Sequence, residues 1–132
     1  MLIEFPVKTG RKCEFVDITG EVAGKVAESG VKEGVCTVYV PHTTAGVTIN
    51  ENADPTVRRD ILSALDLVVP ESASYVHSEG NSPGHIKASL IGSSVSVVID
   101  KGALVLGTWQ GVFFCEFDGP RRRRVFVKIS RG

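Results

Sequence analysis

The chain has three histidines, and each stands where an ordered element gives way to loop. His77 and His85 lie in Tyr75-Val-His77-Ser-Glu-Gly-Asn81-Ser-Pro-Gly-His85-Ile-Lys87, and His42 lies in Pro41-His-Thr-Thr-Ala-Gly46 after an apolar run. On one continuous helix, the His77–His85 separation spans about 12 Å along the axis. On one strand it spans about 26 Å. Neither arrangement lets both rings touch one ion or one small substrate. A folded-back loop does, and Gly80-Asn81-Ser82-Pro83-Gly84 has the composition of a tight loop.

Three neutral imidazoles are a common ligand set for a catalytic zinc, with the fourth position left to water. With no carboxylate ligand, such a site keeps the full charge of the ion. It lowers the pKa of bound water toward about 7 and attracts anions. Glu51 or Glu79 could then serve as a hydrogen-bonding partner of a ligand or as a general base. The spacing matches no standard short zinc motif. Either the rings share a site, or each is an isolated loop residue, and spacing alone leaves both readings open.

Anion binding is a second theme. A helix starting at Ser82-Pro83 would present unpaired backbone N–H groups beside Lys87, a setting suited to phosphate or carboxylate. Thr43, Thr44 and Ser78 could add hydroxyl groups. Ordinary capping by Ser82 would use up the same N–H groups. Gly107-Thr-Trp109-Gln110-Gly111 holds the single tryptophan, and its flanking glycines allow close approach of a ligand or another backbone. A core or subunit-interface aromatic is the plainer role for Trp109. Arg121 to Arg124 cannot form one basic patch on a strand, because successive residues face opposite ways. Two would face solvent or an interface, and two would turn toward a ligand or a carboxylate.

The elements that must position these residues are legible from periodicity and punctuation. Residues 2–8 and 12–18 read as a β-hairpin around Thr9-Gly10. Thr19 would cap a helix over 20–29, with Val22, Val26 and Ala27 on one face and Gly30 ending it. Val35–Val40 and Val47–Asn50 read as strands. Asp54-Pro55 is a cap followed by proline, and Val57, Ile61, Leu62 and Leu65 recur at helical spacing over 55–67. His85–Ile91 would form a short helix ended by Gly92. Val95–Ile99 with Ala103–Leu106 reads as a second hairpin, and Thr108–Phe117 with Arg123–Ser130 as a third. The fold class is α+β: mostly antiparallel sheets, two or three helices in the middle of the chain, one domain over 1–132.

Composition narrows the partners. The 132 residues are 42% apolar with formal net charge +0, which indicates a globular core and argues against a nucleic-acid binder. Cys13, Cys36 and Cys115 are odd in number and form no close pair, as suits reduced thiols in a cytoplasmic protein. No basic-then-apolar leader pattern and no membrane-spanning run is visible.

The motifs together resemble the YjbQ family. The first block is His42-Thr-Thr-Ala-Gly46 with Asn50-Glu51 and Asp54-Pro55. The second is His77, Asn81 and Gly84-His85-Ile-Lys-Ala-Ser-Leu-Ile-Gly92. The third is Gly107-Thr-Trp-Gln-Gly111 with Asp118-Gly-Pro-Arg121. Many relatives have Ala or Ser where this chain has Gly84, a difference expected to loosen the loop without removing a ligand. The resemblance implies a compact α+β protein, usually a homotrimer, with a divalent metal such as zinc held by His42, His77 and His85. Some members carry the name secondary thiamine-phosphate synthase, which joins a pyrimidine diphosphate to a thiazole phosphate. The implied function is a metal-dependent enzyme, a synthase of this kind or a hydrolase, acting on an anionic, phosphorylated small molecule. Glu51 and Asn81 would be catalytic, and Thr43, Thr44, Lys87, Trp109, Gln110 and Arg121 would bind substrate. Diphosphate departure usually falls to Mg²⁺ among oxygen ligands, whereas histidine-bound zinc points to water activation. The alternative is a non-catalytic trimer that binds a metal or a phosphometabolite.

Overall fold

The computed structural model describes residues 2–132. Two sheets form the frame. The larger holds β1 (Leu2–Lys8), β3 (Gly34–Tyr39), β5 (Ser94–Asp100), β6 (Ala103–Leu104) and β8 (Arg122–Arg131), in the order β1-β8-β3-β5-β6. The smaller holds β2 (Glu14–Asp17), β4 (Ala45–Glu51) and β7 (Gln110–Glu116), in the order β2-β7-β4. Every pairing is antiparallel. Three helices join them: α1 (Thr19–Ser29), α2 (Pro55–Val68) and α3 (Ser82–Ile91).

Strand alternation builds the main core. Phe5 and Val7 of β1, Cys36 and Val38 of β3, and Val125, Val127 and Ile129 of β8 point inward from the large sheet. They meet Val47, Val112 and Phe114 of the small sheet, and Val22 and Val26 of α1. Opposite-facing residues of β7 make a second cluster: Phe113, Cys115 and the adjoining Phe117 pack with Ala88 of α3 and with Leu62 and Leu65 of α2. β7 is thus covered on both faces, which is why its apolar run is continuous rather than alternating.

This arrangement corrects two of the three expected hairpins. β1 pairs with β8, and β2 pairs with β7, so residues 2–17 pass from one sheet to the other instead of folding back. β7 and β8 likewise belong to different sheets. Turn residues mark a change of direction, and the choice between a hairpin and a sheet-to-sheet crossing rests on what covers each strand. The β5–β6 hairpin is present, though β6 is shorter than expected.

The helix boundaries follow local chemistry. Asp54 caps α2, its carboxylate accepting the Thr56 N–H at 2.9 Å. Gly30 closes α1 in the left-handed conformation, with φ 70°. Thr19 lies inside α1 rather than capping it; Asp17 accepts its N–H and hydroxyl, and the Thr19 oxygen accepts the Val112 N–H. Ala27, expected on the buried face of α1, is exposed. No helix among the described residues is long and apolar enough to cross a membrane.

Candidate functional site

His42 occupies the place where the large sheet runs out of strand. The last β3 partner of β8 is Tyr39, opposite Phe126, and Pro41 lies just beyond. β8 continues to Arg122, leaving the Arg124 N–H with no strand on that side. His42 Nε2 accepts it at 3.0 Å. The ring meets buried Phe114 edge-on, with centroids 6.5 Å apart. Burial and the nearby Arg123 cation hold the His42 pKa below its ordinary value, so the ring is neutral at pH 7.

His85 stands in the first turn of α3, and His77 lies in the irregular segment before it. The loop folds back as its composition indicated, and the two rings meet edge-to-face with centroids 5.4 Å apart. All three histidines line one cleft of about 410 Å³. His42, Thr43 and His85 also border a neighbouring cleft of about 480 Å³.

α3 is held close to the sheet by Gly84. A Cβ there would stand 2.9 Å from the Phe117 carbonyl oxygen and 3.4 Å from both Asp118 Cβ and Thr44 Cγ2. Gly84 therefore tightens this corner rather than loosening the loop, a correction to the expectation from the family pattern. Asn81, not Ser82, is the cap residue of α3; its carbonyl accepts the Gly84 and His85 N–H groups. Those N–H groups are thus engaged within the protein.

The polar lining is ordered by carboxylates. Asp118 Oδ2 accepts from Asn81 Nδ2 at 2.9 Å and from Arg121 Nη2 at 3.0 Å. Glu116 is fully buried and receives Nε of Arg123 at 2.8 Å, a second Arg123 bond from Nη2, and the Thr9 hydroxyl at 2.7 Å. Burial pushes its pKa up, but these partners outweigh burial and leave it below the usual carboxylate range. Arg123 Nη2 also donates to Thr44 Oγ1 at 2.9 Å.

The donor types suit zinc, and the three rings share a cleft, but the side chains do not close around an ion. Among the described residues, no three His, Cys, Asp or Glu side chains form a group that could hold a metal. His42 adds an obstacle: with Nε2 accepting the Arg124 N–H, a neutral ring carries its proton on Nδ1, so neither nitrogen offers a lone pair to the cleft. His77 Nε2 is 3.8 Å from Glu79 Oε1. Ligation by all three rings requires His42 to leave Arg124.

Several expected site residues lie elsewhere. Glu51 and Gln110 pair at the far end of the β4–β7 ladder, opposite the Ala45–Glu116 end that adjoins the cleft. Six strand positions separate the ends, roughly 20 Å. Glu51 accepts the Asp54 N–H, and Trp109, next to Gln110, is exposed, its carbonyl accepting the Asn52 N–H. Lys87 is buried under α3, paired with Asp66 of α2 and 3.9 Å from Cys13 Sγ, so it does not face the cleft. Thr43, Thr44, Asn81 and Arg121 do line it.

Glu116 was not singled out from the sequence, and Asp118 and Arg123 were named there only within a motif and an arginine run, yet each leaves a trace. Arg123 shares parity with Val125, Val127 and Ile129, which marks it as inward-facing. Glu116 is a lone charge within Phe113-Phe-Cys-Glu-Phe117. A buried cation and a buried anion in one small domain call for each other.

A family model described as UPF0047 protein YjbQ-like matches residues 3–132. A UPF0047 protein of Methanocaldococcus jannaschii is 53% identical over 129 residues, covering 98% of this chain and 94% of that protein. YugU of Bacillus subtilis, also a UPF0047 protein, is 48% identical over 130 residues, covering 98% of each. Among solved structures, a YjbQ/UPF0047 protein of Clostridium acetobutylicum superposes with TM-score 0.95 at 59% identity, covering 97% of this chain and 99% of that one. A YbjQ-like protein of unknown function from Sulfolobus solfataricus gives TM-score 0.96 at 35% identity, covering 100% of this chain and 97% of that one. With the fold shared and the family model matched over residues 3–132, the chain belongs to the YjbQ-like UPF0047 family.

Proposed function

We propose that the protein is a small metal-dependent enzyme acting on an anionic, phosphorylated small molecule, with secondary thiamine-phosphate synthesis as the named candidate and phosphate-ester hydrolysis as the simpler chemistry. One observation carries this reading: a single cleft is lined by three histidines together with Thr44, Arg121 and Arg123. Once His42 releases the Arg124 amide, it would join His77 and His85 in holding a divalent ion of zinc type. Bound there, the ion would supply Lewis-acid charge to a phosphoryl oxygen.

The chain's own residues define the rest of the work. Arg121 and Arg123 bring positive charge to the cleft, each oriented by a carboxylate. Thr43 offers a hydroxyl at the exposed rim. Asn81 is oriented by Asp118 and would position the substrate. Glu79 lines the same cleft, 3.8 Å from His77 Nε2, and would be the carboxylate that takes a proton. A cytoplasmic setting accords with three free cysteines. A homotrimer accords with the apolar residues Val35, Tyr39 and Val98, which stand exposed on the large sheet.

A second reading, a non-catalytic trimer that binds a phosphometabolite, is favoured by the bond that keeps His42 from acting as a ligand. Elemental analysis of tag-free protein beside His85→Ala separates the two. The enzyme reading expects about one zinc per chain in the parent and little in the variant. It also expects turnover of a phosphorylated substrate that Asn81→Ala abolishes while the metal stays bound. Absence of metal after incubation with zinc leaves the binding reading.

A further inference from the structure

We propose that the floor of the cleft is a phosphoryl-binding subsite built from Arg123 and Thr44, with Glu116 as the residue that positions it. The subsite rests on the anionic-substrate reading above and names the groups that would hold the anion.

Arg123 is 7% exposed, and that remnant opens on the cleft it lines. Its Nε and Nη2 are committed: Nε to Glu116, Nη2 to Glu116 and Thr44. Nη1 makes no hydrogen bond to the described residues. The one sealed side-chain polar atom without a partner among them is Asn81 Oδ1, so Nη1 retains access to the cleft. Its two N–H groups are the unspent edge of a fixed guanidinium.

Thr44 supplies a third donor. Its oxygen accepts from Arg123 Nη2, and its own proton has no acceptor among the described residues. Thr44 is 5% exposed and lines the same cleft. A buried cation of fixed orientation beside a buried hydroxyl costs nothing further in side-chain ordering when an anion arrives. Arg121, exposed and held by Asp118, adds charge at the rim. An Nη1 N–H and the Thr44 O–H, on different side chains, can each meet a separate oxygen of a phosphoryl group, and its double negative charge is held by the fixed cation more strongly than the single charge of a carboxylate.

The pairing with Glu116 explains how the cation is retained. Without it, a buried guanidinium would face a large desolvation cost, and its planar fork would be free to turn. Glu116 fixes the fork from behind, so the free edge looks outward. It touches no substrate in this arrangement and acts only through Arg123.

The test uses metal-free protein, so neither turnover nor zinc enters the reading. Inorganic phosphate is titrated while the guanidinium NMR signals of Arg123 are followed, with calorimetry in parallel. The expected result is a saturable Arg123 shift, binding weakened about tenfold or more in Arg123→Lys, which lacks the fork, and in Thr44→Val, and unchanged binding in Arg59→Ala. Acetate, with a single negative charge, is expected to bind more weakly than phosphate. The double variant Glu116→Gln/Arg123→Gln keeps the buried pair neutral and is expected to lose phosphate binding while retaining a cooperative melt. An Arg123 signal that does not move with phosphate overturns the proposal without any variant. Equal binding by Thr44→Val and parent, or by acetate and phosphate, overturns the assignment of a phosphoryl subsite. Loss of zinc binding or turnover with the Arg123 shift intact would count against the enzyme reading alone.

Discussion

Glu116 and Arg123 tie the two sheets together at the end where the cleft opens. Glu116 ends β7 in the small sheet, and Arg123 lies near the start of β8 in the large one. Both are buried, and two Arg123 nitrogens donate to the two carboxylate oxygens. The chain between them crosses from one sheet to the other, so the pair closes that crossing as well as lining the site.

Removing one partner strands the other charge. Arg123→Ala is expected to lower unfolding free energy by about 3–5 kcal/mol, as breaking buried pairs does. Urea denaturation measures it. The neutral double variant is expected to lose clearly less.

Acid should release the same pair. The folded pKa of Glu116 lies below its ordinary value of 4.5. A depressed carboxylate contributes stability that is present above the unfolded pKa and is lost as pH falls through the folded one. Thermal melts stepped from pH 6 down to pH 3 should show the parent falling more steeply below about pH 4.5 than Glu116→Gln/Arg123→Gln. Parallel curves would remove Glu116 as the group responsible.

Zinc binding, if His42 takes part, must free the Arg124 amide. The Arg124 N–H now donates to His42 Nε2 at 3.0 Å. Stoichiometric zinc is expected to shift the Arg124 amide resonance and speed its hydrogen exchange. Zinc bound with that amide unmoved would mean a site made without His42.

Gly84 sets the depth of α3. Ala at this position would press on the Phe117 carbonyl oxygen, a backbone atom that cannot swing aside. Gly84→Ala is expected to cost about 1–3 kcal/mol, the range for overpacking, and to displace His85. Chemical denaturation gives the first and the His77–His85 ring contact in NMR gives the second.

Lys87 and Glu51 should prove separable from the cleft. Lys87→Met removes the pairing of buried Lys87 with the exposed Asp66, and Glu51→Gln alters the far end of β4. Zinc content and phosphate affinity are expected to match the parent in both. A large loss in either would show that the cleft extends farther than its lining residues.

By itself the sequence determined what is local. Asp54-Pro55 starts α2, Gly30 ends α1, and the glycine- and proline-rich loop folds His77 against His85, because capping, φ preference and turn chemistry act over a few residues. Strand parity also sorts the arginine run: Arg123 turns inward to Glu116, while Arg124 meets Glu4 at the surface. Only the tertiary structure decided where each strand went. β1 and β2, like β7 and β8, carry hairpin punctuation yet join different sheets, since β7 has two apolar faces and is buried by placing a sheet on one side and helices on the other. The same long-range packing turned Lys87 toward Asp66, set Glu51 at the far end of β4, and gave His42 the unpaired N–H of Arg124. No local rule carries those outcomes, because each depends on which distant backbone or charge is left needing a partner.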